Sequence, residues 1–303
     1  MRIRHAGSMR HEGVTTRQAL AAAGMSVGGL RAHLDGGRWR ALNDRVVCLH
    51  NGPLTERQRR WAVFLSASPP AAMCGLTAMA MWGVAGHSDG AVHVLVRRGA
   101  RVLPVPGVDI AVHESRRFGL GDIVYGRAPQ LTSLARATVD AATWTTSTRE
   151  AARLLVAPVQ QRLELPANLL RALETAGRVR HRRMLLSLCR DLVGGAQALS
   201  EVEFLAFCAR HQLPRPQLQV RLDSAGRRRY LDATFRRADG RLVRAEVDGG
   251  VHLSLTTRWL DTAKDNDAVL AGYVVLRFPS VAIYLDDARA VGQLRRALGL
   301  VSG

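Results

Sequence analysis

Polar and apolar residues alternate along two segments near the C-terminal end of the chain, residues 229–235 and 241–248. A period of two is typical of β-strands, so the pattern predicts a hairpin. The residues between the segments predict a three-residue turn, Ala238-Asp239-Gly240, with the glycine in the left-handed region. This turn places Asp232 directly opposite Glu246, with both side chains on one face.

The length of the turn decides which side chains share a face. A two-residue turn, Asp239-Gly240, would oppose Asp232 to Val247 and separate its carboxylate from that of Glu246. The three-residue turn instead separates polar from apolar residues, and we therefore predict this register. The polar face then carries Tyr230, Asp232, Thr234, Glu246 and Asp248, and the apolar face carries Leu231, Ala233, Phe235, Ala245 and Val247.

The hairpin belongs to a longer series of helices and strands, which predicts an α/β domain over residues 198–303. Capping residues and apolar periodicity predict helices, and short apolar runs predict strands. Besides the hairpin, the predicted elements are a helix from Ser200 to about His211, a strand at 220–223, a helix at 256–271, a strand at 273–278 and a helix at 286–298.

The N-terminal residues 1–54 have the pattern of a winged helix-turn-helix. Thr15 and Gln18 form a predicted capping box for a first helix, residues 17–23. Ser26 is the predicted N-cap of a second helix that ends near Leu34. Two short alternating segments around Asn43-Asp44, residues 39–42 and 45–49, then predict the wing.

In a winged module the second helix enters the major groove and basic residues of the wing contact phosphates. The residues of this module that we expect to contact DNA are Arg31, His33, Arg38, Arg40 and Arg45. A helix-turn-helix that serves only packing or protein contact is the alternative, since Gly28 and Gly29 weaken the helix and few of its side chains can read bases.

Residues 55–195 are a predicted mixed α/β middle domain, with helices at 55–65 and 75–82, strands at 92–98 and 108–114, and helices from Ser133 onward. The uncharged stretch 64–86 is interpreted as two buried helices joined by a turn. Pro69-Pro70 and the Ser, Thr and Gly content of this stretch argue against a membrane span. The whole chain is therefore a predicted multidomain α/β protein.

The net charge of the chain indicates which class of partner it attracts. The chain has 303 residues, 47% of them hydrophobic, and a formal net charge of +18, so it should form packed cores and attract polyanions such as DNA. Residues 1–60 carry 11 arginines against four acids. Forty-two arginines beside the single Lys264 also suit a GC-rich genome, but codon bias does not explain the excess of positive over negative charge.

The four cysteines have no Cys-x-x-Cys spacing, so they predict neither a zinc site nor a disulfide framework. No apolar run follows the arginines at the N-terminus, so no signal peptide is predicted. We therefore expect a cytoplasmic protein without membrane attachment.

The opposed acids suggest a metal site. Two facing carboxylates repel each other, and Mg²⁺ or Mn²⁺ would relieve the repulsion. Such a cation at Asp232 and Glu246 would polarise a phosphodiester and activate water. Asp248 would bind a second ion or orient the water. His252 would act as a general base or acid. Acids on opposite faces, or an arginine or lysine between them, would argue against this site. His252 as a surface residue and Glu203 as part of a capping box with Ser200 are the alternatives.

Residues 198–300 resemble the very-short-patch-repair endonuclease-like branch of the PD-(D/E)XK nuclease superfamily. The matching residues are Ser200-x-x-Glu203, the Asp232 strand, Glu246-Val247-Asp248-Gly249-x-x-His252, Asp261-x-x-Lys264-Asp265 and Gly272 to Phe278. The resemblance implies an α/β/α restriction-endonuclease-like core, metal binding by Asp232 and Glu246, and active-site positions for Glu203, Asp248 and His252. Asp248 stands where the superfamily pattern has lysine, which leaves the transition-state cation unassigned.

Residues 12–195 resemble the AbiEi-like antitoxins of type IV toxin-antitoxin systems. The matching segments are Thr15 to Leu20, Gly37-Arg38-Trp39-Arg40 and Ser133 to Asp140. This resemblance implies DNA binding, repression of the chain's own operon and a cognate toxin as partner. The function expected first is a Mg²⁺-dependent DNA endonuclease or nickase that the winged helix brings to its substrate. The alternative is an antitoxin-like regulator with a catalytically silent nuclease fold. RNA as the substrate stays open, and the sequence predicts no oligomeric state.

Overall fold

A computed structural model describes residues 11–116, 118–193, 201–222, 228–248, 274–285 and 288–300. The chain is a mixed α/β protein that divides into two compact units, residues 1–141 and 142–303. The predicted boundary near residue 54 falls within the first unit and the one near residue 195 within the second, and both stay predictions. Within the described ranges, no helix combines the length and apolar character needed to cross a membrane.

The first unit begins with two short helices and a three-stranded sheet of order β1-β3-β2. The second helix is capped as predicted, since Ser26 Oγ accepts a hydrogen bond from the backbone N–H of Gly29 at 3.0 Å. The elements are β1 (Val14–Thr16), α1 (Arg17–Ala22), α2 (Val27–Asp35), β2 (Arg40–Ala41) and β3 (Val46–Cys48).

The predicted capping box of Thr15 with Gln18 is wrong, because the N-cap is one residue later and the N3 residue, Ala19, has no side-chain acceptor to complete a box. Thr15 lies in β1, opposite Val47, and Thr16 is the N-cap of α1, with its hydroxyl 3.0 Å from the N–H of Ala19. Both threonines can cap a helix. Strand β1, which the sequence pattern did not predict, extends through Thr16, so the last residue of the strand is the N-cap of the helix that follows.

The middle of the first unit is a five-stranded sheet of order β6-β5-β4-β8-β7. Its central strand, β4, was missed by the interpretation of residues 64–86 as two helices joined by a turn. That connection contains three buried residues that pair with both neighbouring strands. The elements are α3 (Glu56–Ser66), β4 (Ala71–Met73), α4 (Gly75–Met81), β5 (Val92–Arg97), β6 (Ile110–Ser115), β7 (Ile123–Val124) and β8 (Leu131–Thr132).

Helices follow from Leu134 onward, as predicted. Their apolar faces supply buried residues such as Leu155, Leu173 and Leu188. The helices are α5 (Leu134–Trp144), α6 (Thr148–Gln160), α7 (Pro166–Thr175) and α8 (Arg182–Leu192).

The second unit also contains the predicted hairpin, within a four-stranded sheet of order β12-β11-β10-β9. Strands β9, β10 and β11 are antiparallel, whereas β12 is parallel to β11. The predicted helix at 256–271 lies outside the described residues. The elements are α9 (Glu201–Arg210), β9 (Gln217–Leu222), β10 (Arg228–Arg236), β11 (Leu242–Asp248), β12 (Val274–Pro279), α10 (Ser280–Tyr284) and α11 (Ala288–Ala297).

Helix α9 packs on the apolar face of this sheet. The ring of Phe204 lies 6.4 Å from that of Phe235, in an edge-to-face arrangement, and both side chains are buried. Aromatic pairs of this geometry stabilise a core beyond the area they bury. The polar face of β10 and β11 is therefore the face on which a site can form.

Candidate functional site

The turn of the hairpin has the predicted form. The N–H of Arg237 donates to the carbonyl of Arg241 at 2.9 Å, which leaves three residues in the loop, and Gly240 has a φ of 81°. The register therefore pairs Asp232 with Glu246, as predicted. The two acids occupy facing positions on adjacent strands, where their carboxylates point to one side of the sheet.

The other face of the hairpin is the hydrophobic core. Leu231, Ala233 and Phe235 on β10, with Val243, Ala245 and Val247 on β11, are all buried. This alternation fixes the register, because a slip by one residue would expose all six and bury the acids in their place.

Asp232 is also buried, with only 4% of its surface exposed. Its carboxylate accepts a hydrogen bond from Nη2 of Arg244 at 2.8 Å. Arg244 precedes Glu246 by two residues on β11, so its side chain rises from the same face. The Nε atom of this arginine lies 3.8 Å from Oε1 of Glu246. One guanidinium group therefore lies between the two acids.

A second arginine contacts Glu246 from the neighbouring strand. Arg277 on β12 lies opposite Glu246 in the parallel register, and its Nε atom donates to Oε2 at 3.0 Å. The cluster thus alternates acid and base across three strands, Asp232, Arg244, Glu246 and Arg277. Two negative and two positive groups leave it without net charge.

A divalent cation does not fit between Asp232 and Glu246 while the Arg244 guanidinium occupies that position. A cation shared by Asp232 and Glu246 would have to displace the Arg244 guanidinium, whose repulsion of a second positive charge opposes binding. In the part of the chain that the structure describes, no three His, Cys, Asp or Glu side chains are grouped so that they could hold a metal. We therefore derive no catalytic step through Mg²⁺ or Mn²⁺.

Glu203 lies on α9 and contacts a different set of residues. Its Oε2 accepts a hydrogen bond from the hydroxyl of Tyr284 at 3.1 Å, and the same hydroxyl lies 2.9 Å from Oγ of Ser187. Burial raises the pKa of Tyr284 well above its usual value, so this group stays protonated and donates. The contacts link α8, α9 and α10. The capping box with Ser200 lies outside the described residues.

Of two further predicted site residues, the structure gives only the strand position of Asp248 and does not describe His252. Asp248 is the last residue of β11, opposite Tyr230 and beside Pro279, which is one strand repeat beyond Glu246. His252 lies outside the described residues, as do Asp261, Lys264 and Asp265. Their roles stay predictions.

The predicted DNA-contacting residues of the winged module divide into two groups. The first group, Arg31, His33 and Arg38, lies on α2 and directly after it. This helix has no buried residue. The Arg31 side chain is 82% exposed, and its Nε atom lies 3.4 Å from Oδ2 of Asp35. Beside it, the rings of His33 and Trp39 stack at 4.0 Å, and Arg38 donates to Nδ1 of His33 and to the carbonyl of Ala32. Arg38 therefore also caps the end of the helix.

The second group, Arg40 and Arg45, is half-buried. Arg45 donates through Nη1 to the carbonyl of Ala67 at 3.0 Å, and the neighbouring Asn43 donates to Oγ of Ser66 at 2.7 Å. These contacts hold the wing against α3 and the segment that follows it. Arg45 thus has a partner in a neighbouring segment, whereas Arg31 is exposed beside an exposed acid of its own helix, Asp35.

Sequence reasoning missed Arg244 and Arg277 as members of the acid cluster. The alternation that places Asp232 and Glu246 on one face also places Arg244 there, so a signal for this residue was present in the predicted register. Arg277 could be found only from the order and direction of the strands.

A comparison with models of known protein families matches none to this chain, and a comparison with characterised proteins finds no relative.

Proposed function

We propose that this chain is a DNA-binding regulator in which the winged module contacts the duplex, and that its C-terminal nuclease-like domain does not cleave DNA. The observation that carries the second part is the position of Arg244. Its guanidinium group binds Asp232 and lies beside Glu246, where a catalytic cation would have to bind.

The DNA-binding part rests on charge and on the surface of α2. The chain has a net charge of +18, and its first 60 residues carry 11 arginines against four acids. Helix α2 offers an exposed face with Arg31 and, at its end, Arg38. A basic exposed helix beside a wing suits phosphate and base contacts in a major groove.

A metal-dependent endonuclease is the second candidate, favoured by the register of the hairpin. Asp232 and Glu246 face each other on adjacent strands, which is the position that a shared cation requires. In this candidate Arg244 would withdraw from Asp232 when the cation and the DNA bind. A cognate toxin as partner rests only on the resemblance to antitoxins.

DNA binding is tested by fluorescence anisotropy with labelled duplexes that include the operator region of the chain's own gene. Arg31→Ala should weaken binding about tenfold and, if the contact is to phosphate, reduce the salt slope by about one ion. Arg153→Ala removes an exposed arginine on α6 and serves as the matched control. Equal affinities of the wild type and Arg31→Ala would contradict a role for α2.

Cleavage is tested by nicking of supercoiled plasmid with Mg²⁺ or Mn²⁺. The regulator is expected to leave the plasmid intact under conditions in which it binds DNA. Nicking by the wild type that is lost in both Asp232→Asn and Glu246→Gln would overturn the silent domain and establish the second candidate. Asp239→Asn, on the turn of the same hairpin, is the control for these variants.

A further inference from the structure

A basic cavity lies in the first unit, where the first turns of α3, the end of α4 and the loop from β7 to β8 meet. Its volume is about 410 Å³, within the range of about 300–1,000 Å³ that is typical of small-molecule sites. The charged groups among its described lining residues are three arginines, Arg57, Arg60 and Arg127, and one acid, Glu12. None of them is a predicted DNA contact or a member of the acid cluster.

Helix α3 supplies two of the arginines. Arg57 and Arg60 are three residues apart, so they are neighbours on one face of the helix. The capping residue Gln58 fixes this end of the helix, since its Oε1 accepts from the N–H of Thr55 at 3.0 Å and its Nε2 donates to the carbonyl of Glu12 at 2.7 Å. The backbone that carries Glu12 and both arginines is therefore held in place on one side of the cavity.

Arg127 comes from the loop between β7 and β8. Its guanidinium group lies over the ring of Trp82, with Cζ 4.1 Å from the ring centroid. Trp82 donates from Nε1 to the carbonyl of Thr132 at 2.9 Å, which ties the ring to β8. A guanidinium group that stacks on an aromatic ring keeps its N–H groups at the edge of the stack, where they are free to point at an anion.

The acids engage only part of this donor capacity. Nη1 of Arg57 donates to Oε1 of Glu12 at 3.1 Å, and Nη2 of Arg60 donates to Oε1 of Glu56. Each guanidinium group has five N–H donors, so one such contact leaves most of them for a ligand. Glu56 is 77% exposed and is not a lining residue, so solvent weakens its pull on Arg60. The walls of the cavity therefore carry more positive than negative charge.

An apolar wall adjoins the arginines. It contains Trp61 and Pro129, which are both buried, and Met81 at the end of α4. The Trp61 ring packs edge-on against Phe64, with the ring centroids 5.9 Å apart, so this wall belongs to the packed core. A ligand with an anionic end and an apolar body suits the two kinds of surface.

A phosphate group fits the basic side better than a carboxylate does. A phosphate monoester carries a charge of about −1.5 to −2 near pH 7 and three acceptor oxygens, which matches three guanidinium groups, whereas a carboxylate has one charge and two oxygens. We propose that the cavity binds a small organic phosphate monoester, with Arg57, Arg60 and Arg127 on the phosphate and the organic part against Trp61 and Met81. A free mononucleotide and the 5′-phosphate at a DNA end share this chemistry.

The test uses the full chain at about 150 mM salt, where surface attraction is screened, and isothermal titration with 5′-AMP, adenosine and inorganic phosphate. One saturable site is expected for 5′-AMP, weaker binding for inorganic phosphate and none for adenosine. Arg127→Ala should weaken the binding of 5′-AMP by about 10- to 100-fold, the usual effect of losing a hydrogen bond to a charged group. Because Arg127 is exposed, the variant should fold, as checked by circular dichroism.

Glu12→Gln is the decisive variant, because it removes the only acid among the described lining residues and frees Arg57. It should bind 5′-AMP severalfold more tightly than the wild type, a gain that damage to the fold does not produce. Arg59→Ala is the matched control, since this arginine is exposed on the same helix and does not line the cavity. It should bind 5′-AMP as the wild type does.

Competition between labelled 5′-AMP and single-stranded oligonucleotides identifies the source of the phosphate. Displacement only by a 5′-phosphorylated oligonucleotide would support a DNA end as the source, and displacement by neither oligonucleotide would support a free small molecule. Displacement by the unphosphorylated oligonucleotide would show a general backbone contact and overturn the proposal. Absence of saturable 5′-AMP binding, tighter binding of inorganic phosphate than of 5′-AMP, weaker binding in Glu12→Gln, or equal losses in Arg127→Ala and Arg59→Ala would each overturn it as well.

Discussion

Nη2 of Arg244 lies 2.8 Å from the buried carboxylate of Asp232. The pair lies on adjacent strands, and Arg244 faces Thr234 in the register, two positions along the strand from the Asp232–Glu246 pair. Glu246 lies directly opposite Asp232, so this contact lowers the repulsion between the two carboxylates. Arg244 therefore stabilises the fold at the same position where it excludes a cation.

Arg244→Gln should lower the free energy of unfolding by about 2–3 kcal/mol, less than the roughly 3–5 kcal/mol of a fully buried pair because the arginine is partly exposed. Millimolar Mn²⁺ should restore part of this loss in the variant, since the Arg244 guanidinium then no longer lies between the two acids, and should leave the wild type unchanged. Urea unfolding with and without Mn²⁺ measures both effects.

Arg241→Gln is the matched control for this variant. Its side chain is exposed and lies 4.0 Å from Asp239 on the turn, so its loss should change the free energy of unfolding by less than about 0.5 kcal/mol. If Mn²⁺ stabilised the wild type as much as Arg244→Gln, Arg244 would give way easily and the endonuclease would become the better proposal.

The second prediction concerns Glu203. Tyr284→Phe removes a buried hydroxyl that contacts Ser187 and Glu203, and it should lower the free energy of unfolding by about 1–2 kcal/mol. Glu203→Gln keeps an acceptor for the hydroxyl and should change the free energy of unfolding by less than about 1 kcal/mol. Chemical unfolding measures both variants. A Glu203→Gln variant that kept full stability but lost a DNA-nicking activity would assign Glu203 to catalysis.

The hairpin was predictable because its signals are local. Turn chemistry at Gly240 and the alternation on both strands are consistent with only one register, and that register is observed. The cap at Ser26 was predictable for the same reason, since it depends on residues within one turn of helix.

Other features depended on contacts that sequence spacing does not contain. Strand β4 has only three residues after two prolines, and its pairing partners β5 and β8 lie about 20 and 60 residues further along the chain. The role of Arg277 depends on the parallel pairing of β12 with β11. The contact of Arg45 with Ala67 depends on how the wing packs on the segment after α3.

The third prediction concerns the pH dependence of stability, because two ionisable side chains of the first unit, Asp140 and His113, change the free energy of unfolding in opposite directions. Burial, opposed by Arg136, raises the pKa of Asp140 from 3.8 to about 6. Since the folded chain binds this proton more tightly than the unfolded chain, the contribution of Asp140 to stability is present below pH 4 and is lost as the pH rises through about 6.

The contribution of His113 to stability changes with pH in the opposite direction. Its pKa is lowered by burial from 6.5 to about 4, so its contribution is present above pH 6.5 and is lost as the pH falls towards 4. The wild type should therefore show a weak net pH dependence of stability between pH 4 and 6. His113→Asn should become more stable on acidification in this window, and Asp140→Asn should become less stable. Thermal unfolding at several pH values measures the slopes; identical slopes in the wild type and both variants would contradict the assignment.

The last prediction concerns the turn that sets the register. Gly240 has a φ of 81°, and a Cβ atom added there would meet nothing within 4 Å. A substitution therefore introduces only backbone strain and no collision. Gly240→Val should lower the free energy of unfolding by about 1–2 kcal/mol, whereas Gly240→Asn should lower it by less, because asparagine enters the left-handed region more readily.

Neither substitution should move Asp232 away from Glu246, because the buried residues of the opposite face hold the register independently of the turn. The Arg244 contact should therefore survive in both variants, and Mn²⁺ should stabilise neither. Stabilisation of Gly240→Val by Mn²⁺ would show that the turn itself keeps Arg244 between the acids, and equal losses of stability for valine and asparagine would show that the left-handed conformation is not required.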